Sequence, residues 1–406
     1  MNRFVDKPQN SNAQSDSPGT IFLIFLRLGM TSFGGPIAHL GYFRDEFVTR
    51  RRWLNERGYV DLVTLCQLLP GPASSQVGMA LGLARAGIAG ALSAWAGFTL
   101  PSAVALILFA QGISTWGNAL PAAALHGLKV VAVAVVAQAV WGMACNLCTD
   151  RPLTTIAIVA TCIALQFPTA WGQVGVIAAG AVVGILLFKP QSALPHDPLV
   201  ISVSRQVGAA LLGLFFVLLV ALPILAESVP NQSISMIDSF YRSGALVFGG
   251  GHVVLPLLQA EVVPQGWVTN DDFLAGYGVT QAVPGPLFTF AAFLGAAAKG
   301  TPTGWVGGLL CLVAIFAPSF LLVIGALPFW EQLRANRRTQ AALTGVNAAV
   351  VGLLLAALYQ PVWTSAIKSS NDFALALVSF AALEVWKLPP WLVVIGCGLV
   401  GAWVLT

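Results

Sequence analysis

The chain has 406 residues, of which only 9% are Asp, Glu, Lys or Arg, and its mean hydropathy is +0.81. Soluble domains carry about 25% charge, so the composition excludes a soluble protein and points to an all-α, polytopic membrane protein. The net charge of +4 comes with nothing that resembles a nucleic-acid-binding patch, so no nucleic-acid partner is expected; here charge informs through its placement in loops.

Residues 1–19 are polar and rich in Ser, Asn and Gln. They lack a basic start, a short apolar run and a small-residue cleavage site, so they read as a disordered cytoplasmic tail, not a signal peptide. Residues 20–190 form a first unit with two breaks in apolar sequence. The first is Phe33-Gly34-Gly35-Pro36; the second is Pro70-Gly71-Pro72, three residues after Gln67. Proline lacks the N–H that a helix needs and pushes its predecessor out of the α region, while glycine leaves the turn unstiffened. Residues 191–235 are a linker plus one transmembrane helix. The linker proper, from Lys189 to Arg205 with Pro190, Pro195 and Pro198, reads as an exposed loop, and Val207–Ala226 is an apolar run with no counterpart elsewhere.

Residues 236–406 repeat the first unit. Phe25, Arg27, Phe33-Gly34-Gly35 and Glu46 match Phe240, Arg242, Phe248-Gly249-Gly250 and Glu261 at one spacing. After a one-residue deletion, Trp53, Gln67 and Pro70-Gly71-Pro72 match Trp267, Gln281 and Pro284-Gly285-Pro286, and farther on Pro101-Ser102 matches Pro318-Ser319. Ordered agreement of Arg, Trp, Gln and Pro-Gly-Pro marks a duplication. One unpaired crossing between the copies turns the second over, giving an inverted repeat with broken or re-entrant helices. Loop charge agrees with inversion. The loop with Arg44, Arg50, Arg51, Arg52 and Arg57 matches one with Glu261, Asp271 and Asp272, whereas the basic loop with Arg334, Arg337 and Arg338 matches Ser114–Leu125, which has no basic residue. Thirteen crossings follow if every apolar segment spans, but that puts the Arg44–Arg57 loop outside; re-entrant hairpins at the breaks put it in the cytoplasm.

Paired breaks in two halves are the strongest sequence pointer to a transport site. Helix starts at a break present free N–H groups and a positive dipole end, which favour anions; tight helix packing is the competing reading. Arg27 and Arg242 lie in apolar runs, where a guanidinium is either a site for an oxyanion or a snorkelling side chain. Gln67 and Gln281 either donate to an oxyanion or tie down freed carbonyls. His39 and His252 follow the Phe-Gly-Gly breaks and are proton-coupling candidates, with helix-interior hydrogen bonding as the alternative. Lys129 and Glu384 read as structural or interfacial charges, the latter paired with Lys387. Cys145 and Cys148 have redox spacing but no second pair, so they read as filler. No catalytic, nucleotide-binding or metal motif is present, so neither cofactor nor metal is expected.

Phe33-Gly34-Gly35-Pro36-Ile37-Ala38-His39-Leu40-Gly41, Trp53-Leu54 and Gln67 through Pro72, with Phe248-Gly249-Gly250-Gly251-His252, Leu255-Pro256, Trp267 and Gln281 through Pro286, resemble the chromate ion transporter family in its long, two-domain form. Gly251 stands where the first copy has Pro36. The resemblance implies export of chromate across the bacterial inner membrane by proton motive force, chromate resistance, and sulfate as an isosteric competitor. The expected partners are chromate, protons, membrane lipid and a second copy in a homodimer. Rocking of one repeat against the other would give alternating access. A sulfate or other oxyanion importer and an intramembrane chromate reductase are the rival readings.

Overall fold

The computed structural model describes residues 16–116, 122–189 and 203–404; residues 1–15, the centre of the Ser114–Leu125 loop, and most of the proline-rich linker with His196 lie outside the described residues. The tail ends earlier than its composition suggests. Ser17 accepts from Thr20 N–H and Pro18 occupies the first turn, so α1 (Pro18–Thr31) starts inside the stretch read as disordered.

Each half begins with two helical hairpins whose tips are the sequence breaks. α1 turns at Phe33-Gly34 and returns as α2 (Gly35–Arg44). A straight broken helix would hold Phe25 and Phe43 far apart; their rings are 5.6 Å apart, and Phe25 stacks on Phe47 at 5.1 Å. α3 (Glu56–Leu68) turns at Pro70-Gly71-Pro72 into α4 (Ala73–Trp116), bringing the Arg85 guanidinium over the Trp53 ring at 5.1 Å. α4 is not one straight rod. It bends back at Ala86 and Gly87, where φ is +60°, and the Gly82 and Gly90 backbones touch. Any side chain at either glycine would force the two legs apart.

The second half repeats this plan after α5 (Ala122–Leu147), α6 (Arg151–Gln166), α7 (Ala170–Leu187) and the lone α8 (Arg205–Ser228). α9 (Gln232–Ala245) returns as α10 (Val254–Val262), with Ser239 Oγ donating to Glu261 at 2.9 Å. α11 (Asn270–Thr280) returns as α12 (Phe290–Ala297), with Phe273 and Phe290 5.0 Å apart and Lys299 N–H donating to Trp267 C=O at 2.8 Å. Then follow α13 (Gly304–Ala326), α14 (Trp330–Ala335), α15 (Arg337–Ala357), α16 (Thr364–Ala366), α17 (Ser370–Glu384) and α18 (Pro390–Val404). Six segments among the described residues are long and apolar enough to cross a membrane. The hairpin arms outside α4 have 8 to 14 residues, about 12–21 Å at 1.5 Å per residue, shorter than a hydrocarbon core of about 30 Å.

The halves are interlocked, not side by side. α5 packs on α17 and α18 of the second half, and α15 packs on α6 and α7 of the first, through glycines such as Gly127 against Cys397 and Gly345 against Gly180. These six helices form a frame. The hairpins of both halves, with α8 and α13, form a core in which α1 packs on α4 and α9 on α13. Neither repeat is thus a separate body that could rock against the other as a unit in this arrangement.

The two arginine-rich loops share one end of the molecule. Arg334 on α14 donates to Asp61 on α3 at 2.8 Å, and α8 starts there, with Gly208 against Gly325 and Pro328. At the far end of α8 lie the bases of the second-half hairpins. There Gln232 donates to the Lys299 carbonyl at 2.7 Å, Lys129 pairs with Asp271 at 3.0 Å, and Asn270 donates to Ser365 at 2.8 Å.

Candidate functional site

The four hairpin tips meet at the centre of the core. Gly71 and Gly285 sit at φ +119° and +106°, values that favour glycine, and each Pro-Gly-Pro is thereby bent to aim one N–H outward. The Gly71 N–H donates to Val247 C=O at 2.8 Å, and the Gly285 N–H donates to Ser32 C=O at 3.0 Å. Val247 and Ser32 hold matching positions just before their Phe-Gly-Gly breaks, so each half gives the other the same bond. Reciprocal exchange is the mark of a two-fold relationship. The packing behind it is reciprocal too: a Cβ on Gly71 would lie 2.5 Å from Ser319 Oγ, and one on Gly285 2.9 Å from Ser102 Oγ.

These bonds occupy carbonyls at the ends of the inbound arms α1 and α9. The returning arms all start at the tips, and α2 and the 3₁₀ turns at Gly251–Val253 and Leu287–Thr289 start without a side-chain cap. Uncapped N–H groups and positive dipole ends therefore meet the centre beside the ends of the inbound arms. A cavity of ≈ 60 Å³ lies there, lined by Gly34 and Gly35 of the first tip, His252, Thr280, Gln281, Val283, Gly285 and Leu287 of the second half, Val135 and Gln138 of α5, and Pro390. One water needs about 15 Å³ on the same measure, so the space suits a small polyatomic ion. No Asp, Glu, Lys or Arg lines it. Gln281 Nε2 is buried there without a hydrogen-bond partner, and His252 Nδ1 is 2.8 Å from the Tyr277 hydroxyl.

The residues expected from sequence divide sharply. Gly34, Gly35, His252, Gln281 and Gly285 line the cavity, while Phe33, Pro36, Pro70, Gly71, Pro72, Phe248, Pro284 and Pro286 shape the tips around it. Gly249 and Gly250 cap the other side of the centre, facing Met143 and Asn347. The arginines are a correction. Arg27 is exposed on α1 away from the cavity. Arg242, in the last turn of α9, is bound through one nitrogen at 2.7 Å to Asp238 and 3.1 Å to Glu261, with its guanidinium 5.2 Å over Trp171, so it is held within its own hairpin. Gln67 is exposed outside the cavity, unlike its match Gln281. His39 is buried behind the first tip, edge-on to Phe98 and 3.4 Å from Ser74 Oγ, and does not reach the cavity. Glu384 pairs with Lys387 at 2.9 Å and accepts from the cavity residue Gln138 at 3.1 Å; Cys145 and Cys148 are free thiols at the end of α5.

Sequence reasoning missed Tyr277, Gln138 and the Ser102–Ser319 pair. Tyr277 carried one usable signal, its place a single turn before Gln281; Gln138 carried none, because α5 belongs to the frame. The two halves also differ around the site. α11 packs on α5, with Gly278 against the Leu128 carbonyl, and Leu274 and Gly278 are buried. Their first-half matches Val60 and Thr64 are exposed, as is Gln67, along one face of α3 from the arginine-rich end to the tip.

The chain matches the family model described as Chromate transporter twice, over residues 19–185 and 234–402. It is 30% identical over 399 residues to a chromate transport protein of Pseudomonas aeruginosa, covering 94% of this chain and 91% of that protein. It is 27% identical to a probable chromate transport protein of Synechococcus elongatus (90% and 88%) and 26% identical to a chromate transport protein of Cupriavidus metallidurans (94% and 92%). No solved structure matches it. Both halves of this multi-pass membrane protein carry the family's segment, and the chain belongs to the chromate transporter family.

Proposed function

We propose that the protein is a secondary transporter, not an enzyme, that exports chromate across the bacterial inner membrane at the expense of the proton gradient and so confers chromate resistance. The observation that carries this reading is the central cavity. It gathers uncapped helix starts and an unpaired amide donor, and no carboxylate lines it. That environment favours a small anion over a cation, and the similarity to chromate transport proteins names the anion. The site residues in this reading are the first tip, Gly34 and Gly35, with His252, Gln281 and Gly285 opposite.

In this reading the repeat is inverted and the four hairpins are re-entrant. Both arginine-rich loops, the tail and the linker then lie in the cytoplasm, as basic loops should. The exposed face of α3 becomes a cytoplasmic vestibule leading to the cavity, while α10 and α11 seal the outer side against the frame. Export follows when the core shifts on the frame so that α2 and α3 seal and α10 and α11 open, an exchange that the matching sequences make geometrically equivalent. Lys129–Asp271 latches the first state; the matching positions hold Asn347 and Arg57, which form no ion pair with each other among the described contacts.

Two experiments test this. Cysteines placed at Arg50 and Asn270 should be labelled from opposite sides of the membrane; labelling from one side removes the inversion. Everted inner-membrane vesicles should accumulate chromate only while the proton gradient stands. Accumulation in right-side-out vesicles instead would make the protein an importer.

A further inference from the structure

We propose that Tyr277 is a positioning residue that fixes the imidazole of His252 as a neutral hydrogen-bond donor to the bound anion; this deepens the function proposed above and rests on it. Tyr277 is fully buried in α11. Its hydroxyl is 2.8 Å from His252 Nδ1, so the phenol is set directly against a ring that lines the cavity. The other ring nitrogen, Nε2, lies 4.0 Å from where a Cβ on Gly35 would sit, at the opposite wall.

A neutral imidazole carries one proton, and its position is set by what the other nitrogen bonds. When the phenol donates to Nδ1, the proton sits on Nε2 and faces the cavity. The other tautomer would turn a lone pair towards an anion. Tyr277 thus converts an uncharged ring into a second donor beside the Gln281 amide. Glycine at position 35 leaves that nitrogen room.

The device belongs to one half only. Tyr277 corresponds to Val63 and His252 to Ile37, so the first half supplies a glycine wall and the second half supplies donors. Among the described residues, Tyr277 is the one titratable group facing His252 from the elements packed against its turn. Gly35 and Pro36 at the start of α2, Asn347 on α15, Val135 and Gln138 on α5 and the turn at Leu287–Thr289 add no charge, and the Asp271 and Asp272 carboxylates lie at the opposite end of α11.

The test is chromate transport by the full-length protein in proteoliposomes, comparing wild type with Tyr277→Phe from about pH 8 down to about pH 5.5 and reporting the ratio of the two at each pH, so that chromate's own protonation cancels. At pH 8 the variant should show a KM raised about tenfold with Vmax within about twofold. The ratio should hold across that range, because the proposal keeps His252 neutral throughout. No KM change at pH 8, or a ratio that returns to one by about pH 5.5, overturns the proposal. His252→Gln supplies an amide donor without a tautomer, so adding Tyr277→Phe to that background should leave KM within about twofold; a tenfold rise persisting there shows a merely structural role for Tyr277 and also overturns the proposal. If wild type itself moves no chromate, the transport function fails; if wild type transports and the variants behave as it does, only the role of Tyr277 fails.

Discussion

The inbound arms α3 and α11 descend from one ancestral segment, yet one is exposed where the other is sealed. On α11, Leu274 and Gly278 are buried and the helix lies on α5, with Asp271 paired to Lys129 at its base. On α3 the matching Val60 and Thr64 are exposed, and the base carries Arg57 and an ion pair to Arg334 in place of a bond to the frame. The α1–α2 and α9–α10 hairpins differ in the same sense. The second buries Arg242 between two carboxylates, whereas the first buries Glu46 under Arg50 and Arg51 and leaves Arg27 exposed, because Leu23 stands where Asp238 would be. A duplicated scaffold therefore need not be symmetric at any moment. The Pro-Gly-Pro backbones keep their reciprocal bonds, while the inbound arms and the side chains around the cavity give the symmetry up.

The sharpest way to break this comparison is at the buried arginine of the second half. Arg242→Ala leaves Asp238 and Glu261 buried without their cation and should destabilise the protein by about 3–5 kcal/mol, read by thermal unfolding in detergent. A smaller loss, equal for both halves, is expected at the tips. Gly71→Ala and Gly285→Ala each place a side chain at positive φ against a serine of the other half, costing about 1–3 kcal/mol, and Ser319→Gly should partly rescue only the first. An effect confined to one glycine would refute the reciprocity. Lys129→Met removes a half-exposed pair worth about 0.2–1 kcal/mol. In a cysteine-free background it should slow maleimide labelling of Thr64→Cys and speed that of Leu274→Cys, each about two- to fivefold; both rates moving together would dissociate the two arms. Arg27→Ala should change stability by less than about 0.5 kcal/mol, which separates it from its match in the same unfolding assay.

Much of this was legible because backbone chemistry is local. Pro-Gly-Pro and Phe-Gly-Gly announce chain reversal wherever they occur, so the tips, the duplication and several cavity residues could be read from the chain. The role of Arg242 could not. A guanidinium in an apolar run reads the same whether it awaits an anion or is already held, and the decision lies with Asp238 one turn away and Glu261 across the hairpin. Gln67 and Gln281 both stand three residues before a Pro-Gly-Pro; the different packing of α3 and α11 separates them. The interlocking of frame and core was hidden for a similar reason, since the glycines that seat α5 on α18 and α15 on α7 look like any other glycines in membrane helices.

The paired amide bonds between the tips have one more consequence. Gly71 to Val247 and Gly285 to Ser32 rivet the centre of the core from both sides, and breaking either in a water-poor interior would strand a donor and a carbonyl at a cost of about 1–3 kcal/mol. The four tips are thereby tied into one piece. Under the function proposed above they would shift together, and Val135, Gln138 and Pro390 on the frame are the walls they would leave behind.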